Sequence, residues 1–146
     1  MTENTSVIAP KAGWHIWLVG ILALVWNAFG CFDFVMTATR NEAYLAPFPQ
    51  EMLDYWFAMP WWVWGAWVMG VFGGFFGAVA LLLRSAWAVK LFAVSLLGAI
   101  ISLIDGMMDT DAPKMEGGEI FPYLIIAIAL IQLAYAWWQM KRGALR

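Results

Sequence analysis

The hydrophobic positions of this chain fall into four blocks, and the polar residues collect between them. The blocks run from Trp14 to about Thr37, from Pro60 to Leu83, from Ala86 to about Asp105, and from about Ile120 to Met140. Each is long enough to cross a hydrocarbon core of about 30 Å, which takes about 20 helical residues. They are apolar throughout, without the strict alternation of a half-buried strand. Only a helix satisfies all its own backbone polar groups in such surroundings, so the pattern predicts four transmembrane helices. A single bundle of them occupies residues 1–146.

The connections differ in kind. The first long one contains "PFPQEMLDYWFAMP", where Pro49 can open a short helix over about residues 49–58. Met52, Tyr55, Trp56 and Met59 then recur at helical spacing, which suits a helix lying in the outer membrane interface. The second, "DGMMDTDAPKMEGGE", is acidic and rich in Gly and Pro, and predicts irregular backbone. The opening "MTENTSVIAPKAG" is polar. The apolar run after it exceeds a signal h-region of about 7–15 residues and meets no prompt cleavage site, so it reads as a retained first span.

Composition agrees with a membrane class. The chain is 64% hydrophobic and 12% charged, with 11 Trp, more apolar surface than a soluble domain of this size can hide. A formal net charge of −2 gives no reason to expect nucleic acid, and the single cysteine, Cys31, excludes an intrachain disulfide. Lys11, Arg84, Lys90, Lys141, Arg142 and Arg146 fall on one side, against Arg40 and Lys114 on the other. By the positive-inside rule both termini and the tight second turn face the cytoplasm. Trp14, Trp17, Trp87, Trp137 and Trp138 then form an inner belt, with Trp56, Trp61, Trp62 and Trp64 in an outer one. Interfacial anchoring explains both belts; the outer one can also serve as a platform for a sugar or lipid headgroup.

Within the second span Ala66, Gly70, Gly74 and Ala78 repeat every four residues, and Gly73 with Gly77 makes a second small pair. Ser95, Gly98, Ala99 and Ser102 form a matching stripe on the third. Such stripes let helix backbones approach closely, within the bundle or between copies. Asn27 and Gln132 lie within about 7 Å of mid-depth. Their amides can clasp the first helix to the fourth, a bond of about 0.6 kcal/mol in membranes; the alternative is a substrate contact.

Asp33 sits about 28 Å along the helix from Trp14, at the outer boundary. Asp33, Thr37 and Arg40 share a helix face, so a first helix that continues to Arg40 brings the guanidinium back to the carboxylate. Asp105 reaches a similar height and competes for the same arginine. An acid at this depth needs a partner, and the cluster either fixes the loop or forms an outward-facing site. His15, at the inner boundary, reads as solvated or interfacial, without the partners that a metal or a proton relay needs. Asp109, Asp111, Glu116 and Glu119 fit no EF-hand spacing, and Met107, Met108 and Met115 lack a Cys or His, so no metal site is expected. GVFGG is a packing run rather than a nucleotide loop, and no catalytic motif is present. Neither an enzyme nor a cofactor is expected.

The strings "WNAFGCFDFVMTATRNEAYL" (Trp26–Leu45) and "LLLRSAWAVKLFAVSLLG" (Leu81–Gly98) resemble a group of small four-helix proteobacterial inner-membrane proteins loosely labelled "sugar transporter". The acidic loop and the last span are less typical of that group. The resemblance implies the four-helix fold, the bacterial inner membrane and small-solute transport. A site implied by it would draw on Asn27, Asp33, Thr37, Arg40, Asn41, Glu42 and Tyr44, with Arg84 at the inner turn. The expectation is therefore an all-α integral membrane bundle of four helices, both termini inside, with a short outer interfacial helix. Its expected role is that of an interaction subunit packed through glycine-rich helices into a homo-oligomer or larger complex in the bilayer. The alternative is a sugar-type transporter acting as an oligomer on a small-molecule ligand.

Overall fold

The computed structural model describes residues 13–114 and 117–146; Lys11, Met115 and Glu116, used above for charge and loop character, lie outside the described residues. Among the described residues the chain is all-helical: α1 (His15–Ala38), α2 (Glu42–Leu45), α3 (Gln50–Ala58), α4 (Trp61–Leu82), α5 (Trp87–Met108) and α6 (Phe121–Lys141). The four long helices, α1, α4, α5 and α6, are each long and apolar enough to cross a membrane. One end of the bundle carries the α4–α5 turn and the C-terminal segment; the other carries α2, α3 and the α5–α6 loop. These are the turn end and the loop end below.

α4 and α5 form the most extensive contact, with α1 packed on α4 and α6 on α5. Small residues permit the central approach. A Cβ on Gly98 would lie 2.5 Å from the Ala66 carbonyl oxygen and 2.7 Å from the Gly70 nitrogen, and one on Gly73 would lie 3.1 Å from the Ser95 nitrogen. Ser95 Oγ donates to the Gly70 carbonyl at 2.6 Å. Gly77 lies against the ring of buried Phe92. Ala66, Gly73, Gly74, Gly77 and Ala78 of α4 are buried, as are Ser95 and Gly98 of α5, while Gly70 and Ser102 are half-buried. Gly70, Gly73 and Gly77 of α4 thus lie against α5, while Gly74 lies against Asn27 of α1. Phe29, Phe76, Leu97 and Ile131, one from each long helix, are at least half exposed on the outside of the bundle.

Helix ends depart from the sequence expectation in an instructive way. α1 stops at Ala38 instead of running to Arg40. Arg40 N donates to the Thr37 carbonyl at 3.1 Å and Asn41 N to the Met36 carbonyl at 3.0 Å, a Schellman closure with Arg40 in the left-handed region at φ 55°. α4 ends identically: Arg84 N bonds Leu81 O at 3.0 Å and Ser85 N bonds Ala80 O at 2.8 Å, again with φ 55° at the arginine. α6 uses the ordinary residue for this turn, Gly143 at φ 76°. That reversal buries Ala144 and Leu145 and carries Arg146 to the α4–α5 turn, where Arg146 N donates to Arg84 O at 2.8 Å and Ala86 N donates to Arg146 O at 2.7 Å. α3 begins and ends close to the expected bounds of 49–58, and α5 continues through Met108, beyond the expected Asp105. α2 is an addition, started by Asn41, whose side chain accepts from Tyr44 N at 3.0 Å.

Candidate functional site

The outer-face cluster predicted around Asp33 exists at the loop end, but with different partners. The Schellman turn swings Arg40 off the face that Asp33 and Thr37 occupy on α1. α2 then runs back toward α1, and Tyr44 O–H donates to Asp33 Oδ1 in a short hydrogen bond. Arg40 instead lays its guanidinium over the Phe57 ring of α3, 4.2 Å from the centroid, an attraction between cation and ring quadrupole. The expected Asp33–Arg40 pairing is replaced by two contacts, each tying a different segment of the loop end. Thr37 is 1% exposed on the inner side of this turn, whereas Asn41 and Glu42 are exposed.

Aromatic rings knit these contacts together. Phe32 meets Tyr44 edge-on at 5.6 Å, Tyr44 lies 6.2 Å from Phe48, and Phe48 meets Trp56 at 5.2 Å. Phe57 stacks with Trp64 at 6.4 Å, and Trp64 reaches Phe34 at 5.9 Å. The bond to Asp33, with burial and the carboxylate's charge adding to it, pushes the Tyr44 phenol up to about 12. Tyr44 is therefore a fixed proton donor at neutral pH.

Asp105 does not join this group. It lies near Tyr55 of α3, whose phenol is pushed up to about 12 by burial first, then by Asp109 and by Asp105. The loop end thus holds two tyrosine–carboxylate neighbourhoods: α2 against the end of α1, and α3 against the end of α5. Both suit a fixed cover over the helix ends.

Deeper in the bundle, Asn27 and Gln132 meet as expected. Asn27 Nδ2 donates to the Ala23 carbonyl at 2.7 Å and to Gln132 Oε1 at 3.3 Å, and both residues are buried. Gly74 gives the Asn27 amide its room, since a Cβ there would overlap Asn27 Oδ1. Near the turn end lies a network that the sequence reading missed. Gln139 Nε2 donates to Tyr135 Oη at 2.8 Å, and Tyr135 Oη lies 2.6 Å from His15 Nδ1. Gln139 is 1% exposed, and its Oε1 has no hydrogen-bond partner among the described residues. His15 is thus a half-buried partner of α6, and of the two expectations for it, solvated or interfacial, the solvated one does not hold. The signal was available: Gln132, Tyr135 and Gln139 follow at +3 and +4 steps on one helix face.

α1 and α6 meet largely through these long side chains, with Trp26 and Phe121 adding a ring pair at 6.4 Å. The described residues contain no group of three or more His, Cys, Asp or Glu placed to hold a metal ion. No family model matches the chain, and no curated protein or solved structure matches it either.

Proposed function

We propose that the chain is a multi-pass protein of the bacterial inner membrane, non-enzymatic, with the turn end in the cytoplasm, acting as an interaction subunit of a larger membrane assembly. The membrane reading draws support from the apolar exteriors of the four long helices, a surface that water would penalise heavily. The orientation draws support from charge. Arg84, Lys90, Lys141, Arg142 and Arg146 lie at the turn end, while every described Asp and Glu lies at the loop end.

One observation carries the choice of interaction over transport: the two buried amides at mid-depth are turned toward each other, Asn27 Nδ2 donating to Gln132 Oε1. Asn27 and Gln132 bond together, and Gly74 closes the space beside them. A carrier of the proteobacterial group that the sequence resembles would need such groups turned toward a permeant. Because Gly70, Gly73, Gly77 and Gly98 are taken up between α4 and α5 and Gly74 against α1, partner contacts would use the outer apolar faces instead. The loop-end cluster of Asp33, Tyr44, Arg40 and Phe57 keeps the sugar-type carrier as the second reading, since an acid, a base and aromatic rings are what sugar recognition uses.

The test is chemical cross-linking in intact membranes followed by native mass determination of the purified protein. A defined complex, with Asp33→Asn leaving it assembled, is expected. A chain isolated alone that takes up a sugar in proteoliposomes, and loses that uptake in Asp33→Asn, would overturn the interaction reading.

A further inference from the structure

At the turn end a cavity of about 340 Å³ opens between α5 and α6, lined by Ala86, Trp87, Val89, Lys90, Met140 and Arg146. Its walls are largely apolar, and the charged side chains lining it are two cations, Lys90 and Arg146. We infer that this cavity is a binding site for an anionic phospholipid of the cytoplasmic leaflet, with the phosphate held between Lys90 and Arg146 and an acyl chain lying along α5.

Three features support that occupant. The first is side-chain charge complementarity: both cations are exposed, and every described Asp and Glu side chain lies at the other end of the bundle. Basic pockets between helices at the cytoplasmic surface suit anionic headgroups, and each Lys or Arg near the surface adds on the order of fivefold in affinity. The second is preorganisation. Arg146 is held at both its N–H and its carbonyl by the α4–α5 turn, at 2.8 and 2.7 Å. Lys90 rests its ammonium 4.5 Å above the Trp87 ring, a position from which it can still donate to a phosphate. The Lys90 ammonium and the backbone that carries the Arg146 side chain are thus placed at the cavity before a ligand arrives.

The third is the track leading away from the cavity. Val94 and Leu97 follow Lys90 at +4 and +7 on α5 and stand 41% and 50% exposed. They continue the face of Lys90 toward the middle of the helix. A free phosphate or a soluble anion would leave that apolar strip unused, whereas a phospholipid covers headgroup site and strip together.

The inference rests on the membrane reading above, and native mass spectrometry in detergent separates the two, because binding there does not depend on orientation. Phosphatidylglycerol is titrated against phosphatidylcholine of the same acyl chains. Wild type is expected to retain one phosphatidylglycerol preferentially. Lys90→Gln/Arg146→Gln is expected to weaken that adduct roughly thirtyfold, while Lys141→Gln/Arg142→Gln, at the same end but outside the cavity, leaves it within about twofold. Ala86→Met, which fills the cavity without altering charge, is expected to weaken it too. Equal retention of the two lipids, or an equal loss in both charge variants, would overturn the site. Labelling of a cysteine at Leu83 from the periplasmic side would overturn the orientation alone.

Discussion

At the scale of single residues, Asp33 is best understood through the group that donates to it. Tyr44 O–H holds one carboxylate oxygen, so Asp33→Asn, which keeps an acceptor oxygen, is expected to be mild. Tyr44→Phe removes the donor and is expected to cost about 1 kcal/mol, read as a lower Tm in detergent. The pH dependence follows from the direction of the shift. A phenol raised from 10.0 to about 12 contributes stability that is complete below pH 10 and is lost as pH rises toward 12. Tyr55, raised to about 12 as well, acts in the same window. Alkaline melting should therefore weaken in Tyr44→Phe and weaken further with Tyr55→Phe added. The glycines divide equally clearly. Gly98→Ala places a methyl against α4 backbone, while Gly65→Ala meets nothing within 4 Å. The first is expected to lower Tm sharply, and the second to raise stability by about 0.5–1 kcal/mol through helix propensity.

At the scale of elements, the four long helices were legible because length and apolar content alone decide them. The Asn27–Gln132 clasp was legible for a related reason: two isolated amides at one depth have few other partners. The Asp33 cluster was not, because its geometry turns on a single backbone angle. Nothing in "MTATRNEAYL" supplies the glycine that usually marks a Schellman turn, so a helix continuing to Arg40 was the natural reading. The His15 network escaped because Gln139 lies in "WWQMK", which reads as a solvated boundary, whereas the chain reversal at Gly143 helps to bury that end of α6. Left-handed arginines at the ends of α1 and α4 carry a cost of roughly 1–2 kcal/mol relative to glycine. Arg84→Gly is thus expected to raise Tm, and Gly143→Ala to lower it, in the same thermal assay. Arg40→Gly gains less, since it also gives up the contact with Phe57.

At the scale of the whole molecule, charge and polarity are sorted along the bundle. Most described cations gather at the turn end and every described Asp and Glu at the loop end, while the middle keeps a small set of polar groups, Asn27, Gln132 and Ser95, each with a hydrogen bond inside the bundle. In the membrane orientation proposed above, this middle is closed to water while the two ends face opposite sides of the bilayer. Cysteine accessibility in a Cys31→Ala background measures it directly, with a membrane-impermeant maleimide applied to intact spheroplasts and to inverted vesicles. Ala129→Cys reports the middle, one turn from Gln132, and Leu83→Cys and Thr110→Cys report the turn and loop ends. Labelling is expected of Thr110→Cys in spheroplasts, of Leu83→Cys in inverted vesicles, and of Ala129→Cys in neither. Labelling of Ala129→Cys from either side, at a rate close to that of the end positions, would contradict it.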